Sequence, residues 1–240
     1  KKKILIFGAT GFLGRNLKKD ILKKNIFKIT CIKKNKNNFN ASLLEKKLKS
    51  KKFDFVINFA GNINHANKFE TYKAHYNLVK NIVNYIKKTN SGYLIQSGSS
   101  LEYGRKESPQ EENDKCIPNS HYGKAKYLST KHIIKNLKNY IIIRPYQVYG
   151  PFQKKDRLIP LTIDSCLKNK KFSCTEGSQK RDFLFIDDFI ELISQILKAK
   201  RIKSGIYNVG SGKPIPVKNI VALIRNKIGK GTPMYGKIKM

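Results

Sequence analysis

Two side chains of this sequence could together move a proton. Tyr122 and Lys126 stand at positions i and i+4, which places them one above the other on a helix face. An ammonium beneath a phenol lowers the phenol's pKa from about 10. A tyrosine tuned in this way can give a proton to a carbonyl, or take one from an alcohol, near neutral pH. The spacing alone says little in a chain with 43 lysines, and Tyr76/Lys80, Tyr127/Lys131 and Tyr235/Lys239 repeat it. Tyr122 differs from the others in what precedes it. An apolar run ends in Ser97-Gly98-Ser99-Ser100, and a serine hydroxyl there could hydrogen-bond the oxygen that the tyrosine protonates.

A second constellation suits a phosphate. Gly8-Ala9-Thr10-Gly11-Phe12-Leu13-Gly14 follows a short apolar run and opens an amphipathic stretch. Glycines at this spacing let the chain turn tightly, let a pyrophosphate approach the backbone, and present helix N-terminal amides to the anion. Dinucleotide sites that take NAD place an acid about 20 residues further on to bind the ribose hydroxyls. Residues 32–34 hold Ile32, Lys33 and Lys34, with no acid. Lys33 or Lys34, with Arg15 just after the third glycine, could pair with a 2′-phosphate that a carboxylate would repel. NADP(H) is therefore expected over NAD(H), which stays possible. Gly210-Ser211-Gly212-Lys213 is not a phosphate loop of the Walker kind, because Tyr207 stands where its first glycine is required.

These residues need a scaffold. Short apolar runs at 3–7, 27–32, 55–59, 93–96 and 140–144 read as strands, and their near-continuous hydrophobicity indicates burial on both faces. Amphipathic stretches at 13–24, 42–49, 72–88 and 122–137 read as the intervening helices. The alternation predicts an α/β fold, a Rossmann-type doubly wound parallel sheet. Residues 33–40 are polar and read as a loop, where the third strand of a full Rossmann sheet is short or absent. After Gly150 the elements shorten and turns multiply. The expected division is a nucleotide-binding domain over 1–150 and a small C-terminal substrate-binding lobe over 151–240, interleaved with the last sheet elements. A helix at 217–228 is followed by no evident closing strand, so the chain reads as truncated at its C-terminus.

Composition bounds the rest. The formal charge is +34, from 50 Lys and Arg against 16 Asp and Glu. That would normally suggest nucleic acid or an anionic membrane. The lysines are spread along the whole chain, only seven of the cations are arginine, and no nucleic-acid-binding motif is present, so neither partner is expected. Cys31, Cys116, Cys166 and Cys174 lack disulfide or metal-ligand spacing and read as isolated, mostly buried thiols of a reducing, cytoplasmic compartment. No run reaches the roughly 20 apolar residues of a membrane span. The start, Lys1 to Phe7, reads as a strand rather than a signal peptide. His65, His75, His121 and His132 form no cluster with ligand spacing, and no metal is expected; His121, beside Tyr122, is the one placed to touch a substrate.

The order of motifs resembles the NAD-dependent epimerase/dehydratase family, the extended branch of the short-chain dehydrogenases, over essentially the whole chain. The motifs are the glycine trio, Asn58-Phe59-Ala60-Gly61, Ser99 with Tyr103-Gly104, Tyr122-Gly123-Lys124-Ala125-Lys126, Arg144-Pro145-Tyr146-Gln147-Val148-Tyr149-Gly150-Pro151, Arg181-Asp182-Phe183 with Asp187-Asp188, and Tyr207-Asn208-Val209-Gly210. The resemblance implies a catalytic triad of Ser99, Tyr122 and Lys126. It implies cofactor contacts from Phe59, Ala60, Gly61, Tyr146 and Val148 besides the glycine loop, and substrate contacts from Ser99, Ser100, Gln147 and Arg181. Arg181 would meet the diphosphate of a nucleotide-linked sugar. The family often has Asn at the position of Gln147. Asp187 and Asp188 are expected to cap the following helix rather than to touch substrate.

In the family's 4,6-dehydratases an Asp-Glu pair follows the residue matching Ser99; here Ser100 and Leu101 stand there, and neither is an acid or base strong enough for water elimination. Reduction of a 4-keto nucleotide sugar by NADPH remains, in deoxysugar or surface-polysaccharide synthesis, as does a 4-epimerisation through a tightly held NAD. The NADP(H) expectation favours reduction, and the segment 158–183 resembles ketoreductases that make CDP-linked 3,6-dideoxyhexoses. A non-catalytic dinucleotide sensor is the third reading, disfavoured because a sensor needs no proton donor. The resemblance also implies a homodimer through the helices at 72–88 and 122–137.

Overall fold

Apolar runs that read as strands do pair, and they do so in parallel. The computed structural model describes residues 1–32, 41–62 and 66–238, which fall into two units: Lys1–Pro145 with Ile190–Val209, and Tyr146–Phe189 with Gly210–Met240.

The first unit begins with β1 (Lys3–Phe7), α1 (Phe12–Lys24), β2 (Lys28–Ile32), α2 (Ala41–Leu48), β3 (Phe55–Asn58), α3 (Lys68–Tyr72), α4 (Leu78–Thr89) and β4 (Tyr93–Ser97). It continues with α5 (His121–Asn136) and β5 (Tyr140–Pro145). The chain passes through the second unit along β6 (Gln147–Tyr149), α6 (Leu158–Leu167), β7 (Lys171–Ser173), β8 (Lys180–Arg181) and β9 (Phe183–Phe185). It returns along α7 (Ile186–Lys198) to β10 (Gly205–Val209), then finishes in the second unit with β11 (Ile215–Pro216), α8 (Val217–Ile228) and β12 (Thr232–Met234).

Among the described residues, six strands form the central sheet in the order β10, β5, β4, β3, β1, β2, every neighbour parallel. This is a Rossmann-type arrangement. β1, β3, β4 and β5 are almost wholly buried, as continuous hydrophobicity demands. β2 lies at the sheet edge and is only half-buried. Side chains alternate across the sheet. Leu5, Phe7, Val56, Leu94 and Ile142 share one core cluster with Leu44 and Leu48 of α2, residues of α4, and Ile133 of α5. Ile4 and Ile6 point the other way and are equally buried. α1 and α7 meet at one end, where Lys24 reaches Asp20, Glu191 and the Ser194 hydroxyl.

Two expectations about elements change. The helix expected over 72–88 begins earlier, capped by the Asn67 side chain on the Glu70 amide, and carries a π-helical stretch, Lys73–Asn77, between α3 and α4. A widened turn of this kind leaves no signature in the hydrophobic period. A short strand does follow the last helix: β12 pairs in parallel with β7. Asp187 and Asp188 lie in the first turn of α7, exposed, where carboxylates face the positive end of the helix. The thiols are also less hidden than expected, with Cys166 buried and Cys31, Cys116 and Cys174 half-buried. Burial pushes all four up from the ordinary thiol value. No described helix is long and apolar enough to cross a membrane.

Candidate active site

The glycine loop is built on close backbone approach. Gly8 has φ +79°, and a Cβ there would lie 2.5 Å from the Ala60 amide nitrogen. A Cβ on Gly14 would lie 2.2 Å from the Gly8 carbonyl oxygen. Gly11 serves as N-cap of α1, its amide donating to the Gly8 carbonyl at 3.0 Å, and no acid occupies the helix's first turn. The loop after β1 is thereby seated on the loop after β3. Phe59 donates its amide to the Phe7 carbonyl, and Asn58 turns its side-chain oxygen to the Ala60 amide. Thr10 and Arg15 are exposed, Phe12 and Leu13 half-buried. The structure thus brings Gly8, Gly14, Phe59 and Ala60 together. Lys33, Lys34 and His65 lie outside the described residues.

The second half of the site sits at the ends of β4 and α5. Ser120 caps α5, accepting from the Gly123 amide at 3.0 Å, so the helix begins at His121 with Tyr122 in its first turn. One turn on, Lys126 is 3% exposed. Its Nζ lies 5.6 Å from the Tyr122 ring centroid and donates to the Ser97 carbonyl at 2.6 Å. Lys80 over Tyr76 and Lys131 over Tyr127 show similar i, i+4 geometry, but Lys80 is half-buried and Lys131 exposed. Burial is what singles out Lys126. It lowers the ammonium to about 8, with the negative charge of Glu102 acting in the opposite sense.

Ser99 follows β4 as the N-cap of a single 3₁₀ turn, Ser100–Glu102. Its hydroxyl oxygen accepts the Leu101 amide at 3.2 Å, which leaves the hydroxyl hydrogen available for donation. Ser100 is half-buried beside it. Leu101, 49% exposed, lines a cavity of about 380 Å³ with Asn119, Ser120, His121, Tyr122 and Lys124. Among the described residues that line it, none is a carboxylate.

Two buried residues stand at the site that the sequence reading does not place there: His75, part of no cluster with ligand spacing, and Glu102. His75, in the π-helical stretch, is 4% exposed and packs edge-on against the Tyr122 ring at 4.8 Å between centroids. Its Nε2 meets the Asn62 backbone. Glu102 is fully buried and binds the Ser99 amide and the Arg144 guanidinium. The signal for Glu102 in the sequence was an acid two residues after a strand-end hydroxyl run, in a chain poor in acids.

The remaining expected site residues belong to the second unit. Gln147 and Val148 lie on β6, which pairs with β9; Tyr146 immediately precedes them. Gln147 and Arg181 are exposed, and Arg181 donates to the Lys180 carbonyl. The loop at Ser211 and Gly212 is held by Asp182, whose carboxylate accepts both amides and the Ser211 hydroxyl. Its amides are therefore committed within the unit. A separate cavity of about 510 Å³ in this unit is lined by Tyr149, Phe152, Ile159, Ile163 and Phe185 among others.

Comparison with known proteins identifies the family. The sequence model of the NAD dependent epimerase/dehydratase family matches residues 4–210. The CDP-abequose synthase of Salmonella muenchen is 27% identical, covering 100% of this chain and 85% of that protein. The "Uncharacterized UDP-glucose epimerase YtcB" of Bacillus subtilis is 26% identical, covering 97% of this chain and 84% of that protein. Among solved structures, a UDP-glucuronic acid 4-epimerase from Bacillus cereus, in complex with UDP-glucuronic acid and NAD, superposes with a TM-score of 0.85. It is 23% identical, with 97% of this chain and 85% of that chain covered.

Proposed function

The chain belongs to the NAD dependent epimerase/dehydratase family, and from that premise we propose that it is a nucleotide-sugar 4-ketoreductase using NADP(H). The observation that carries the reading is the buried Lys126 beneath Tyr122, in a unit where Ser99 keeps a hydroxyl hydrogen to donate and the described residues lining the Tyr122 cavity include no carboxylate.

The residues present fit a dinucleotide. Gly8 and Gly14 leave backbone surface where side chains would block a pyrophosphate, and the first turn of α1 carries no acid to repel one. Arg15 would meet the 2′-phosphate, with Lys33 as its expected companion. Phe59, Ala60 and Gly61 would contact the dinucleotide from the first unit; the resemblance separately implies nicotinamide and sugar contacts for Tyr146 and Val148. When bound, the nicotinamide supplies hydride to the sugar carbonyl carbon.

The chain's own residues manage the proton. Tyr122 gives its phenolic proton to the ketone oxygen as negative charge develops there. Lys126, held by the Ser97 carbonyl, stabilises the phenolate left behind. Ser99 donates a hydrogen bond to the same oxygen and orients it. With Ser100 and Leu101 after Ser99, no side chain in that turn's first two positions can deprotonate the sugar, which argues against elimination of water. Gln147 and Arg181 are proposed for the sugar and its diphosphate. The protein is proposed to act as a homodimer through α4 and α5, in the cytoplasm.

A 4-epimerase is the second reading, favoured by the epimerase relative at nearly the same identity as the synthase. One experiment separates the two. Purified protein is mixed with NADPH and 4-keto nucleotide sugars. Stoichiometric loss of reduced-nicotinamide absorbance supports the reductase. Interconversion of 4-hydroxy sugars without net oxidation supports the epimerase. Neither, with dinucleotide still bound, overturns both.

A further inference from the structure

Glu102 has no part in the proton path just described, yet it is the most completely enclosed charge beside it. The side chain is 0% exposed. One carboxylate oxygen accepts the Ser99 amide at 2.9 Å; the other accepts the Thr130 hydroxyl at 2.8 Å and the Arg144 Nε and Nη2 at 3.2 and 3.0 Å. Thr130 lies one turn beyond Lys126 on α5, and Arg144 closes β5. Three elements that must stay in register, the Ser99 turn, the Lys126 helix and the end of β5, therefore converge on one carboxylate. Room for it is built in, since a Cβ on Gly98 would lie 2.7 Å from its oxygen.

A buried ion pair is a poor stabiliser, and well-packed apolar residues often replace one at no loss. Stability alone does not account for a carboxylate here. We propose that Glu102 is a positioning residue of the site, fixing the Ser99 turn against α5 one turn from Lys126 and against the end of β5. The inference rests on the proposed roles of Ser99, Tyr122 and Lys126.

The surrounding charges are consistent with it. Lys126 and Arg144 are the cations that face Glu102, and burial already drives Lys126 down, so the carboxylate is the influence acting to retain its proton. Further titratable neighbours are Cys116 and Tyr103, both pushed up by burial, and His75, which packs edge-on against Tyr122. Tyr103 takes the Arg144 guanidinium over its ring at 4.5 Å and donates to Asn208. Glu112 reaches the network through its backbone carbonyl and through the Asn208 amide.

The test is the pH dependence of turnover in the cofactor-loaded full chain. In E102Q the alkaline limb, set by loss of the Lys126 proton, is expected to move about one pH unit lower, and E102D is expected to move it back. A folded E102Q with both its limb and its turnover at the wild-type values overturns the proposal. Should E102Q fail to fold with Arg144 unpaired, E102L/R144L removes both charges. A melting temperature near wild type with turnover reduced tenfold or more supports the proposal, and wild-type turnover overturns it. Y122F, assayed alongside, reports on the parent reading separately: if Y122F is fully active, the site assignment fails whatever E102Q shows.

Discussion

Lys126 lies one helical turn from Tyr122 with its ammonium 5.6 Å from the ring centroid and hydrogen-bonded to the Ser97 carbonyl, out of reach of solvent. Enclosure of a cation has a cost that titrates. Burial holds this ammonium at about 8, against 10.5 for an ordinary lysine, with Glu102 opposing the shift. Between those two values the unfolded chain binds more protons than the folded one, so stability rises with pH across that window. The penalty is fully present below it and amounts to roughly 3 kcal/mol. Replacing Lys126 with Met removes the titration. The melting temperature of wild type relative to Lys126→Met should therefore climb between about pH 7 and pH 10, as followed by calorimetry. A constant difference would contradict the burial of this charge.

Ser99 is expected to show two separable effects. Its hydroxyl caps the 3₁₀ turn and, in the proposed reaction, orients the ketone oxygen. Ser99→Ala should cost about 1 kcal/mol of stability through the lost cap, while turnover falls by roughly tenfold or more through the lost donor. Denaturant unfolding and steady-state rates on the same preparation distinguish the two. A stability loss with unchanged turnover would reduce Ser99 to a structural role.

The glycine loop makes a steric prediction. A methyl at position 14 would sit 2.2 Å from the Gly8 carbonyl oxygen and 2.8 Å from the Ala9 Cα, with backbone on both counts. Gly14→Ala should lower the melting temperature by roughly 5–10 °C, from an overpacking cost of a few kcal/mol. Dinucleotide affinity, measured by titration calorimetry, should fall with it.

Choice of dinucleotide turns on Arg15, exposed in the first turn of α1, where no acid competes. Arg15→Glu should shift kcat/KM from NADPH towards NADH by about tenfold, the ~1.4 kcal/mol of one charge-assisted phosphate contact. Equal rates with both cofactors in wild type would set the NADP(H) preference aside.

The parallel sheet was legible because β1, β3, β4 and β5 are covered on both faces and so carry apolar runs, with polar residues confined mostly to their ends. The stacking of Lys126 with Tyr122 and the tight glycine turn were legible because each depends on spacing along one stretch of chain, and the position of Ser99 because it follows an apolar strand. What the sequence concealed depends on contacts between elements. The π-helical turn that brings His75 to Tyr122 is set by packing, not by periodicity. Glu102 finds its partners 28 and 42 residues away, a pairing that no local pattern encodes. β12 was missed because three residues alongside β7 are too few to show an alternation.

The most direct test of the account is a single-turnover comparison of wild type and Tyr122→Phe, each loaded with NADPH and mixed with a 4-keto nucleotide sugar. The account predicts hydride consumption in wild type, and a rate at least about a hundredfold lower in the variant with dinucleotide affinity unchanged. Equal rates in the two proteins would contradict it.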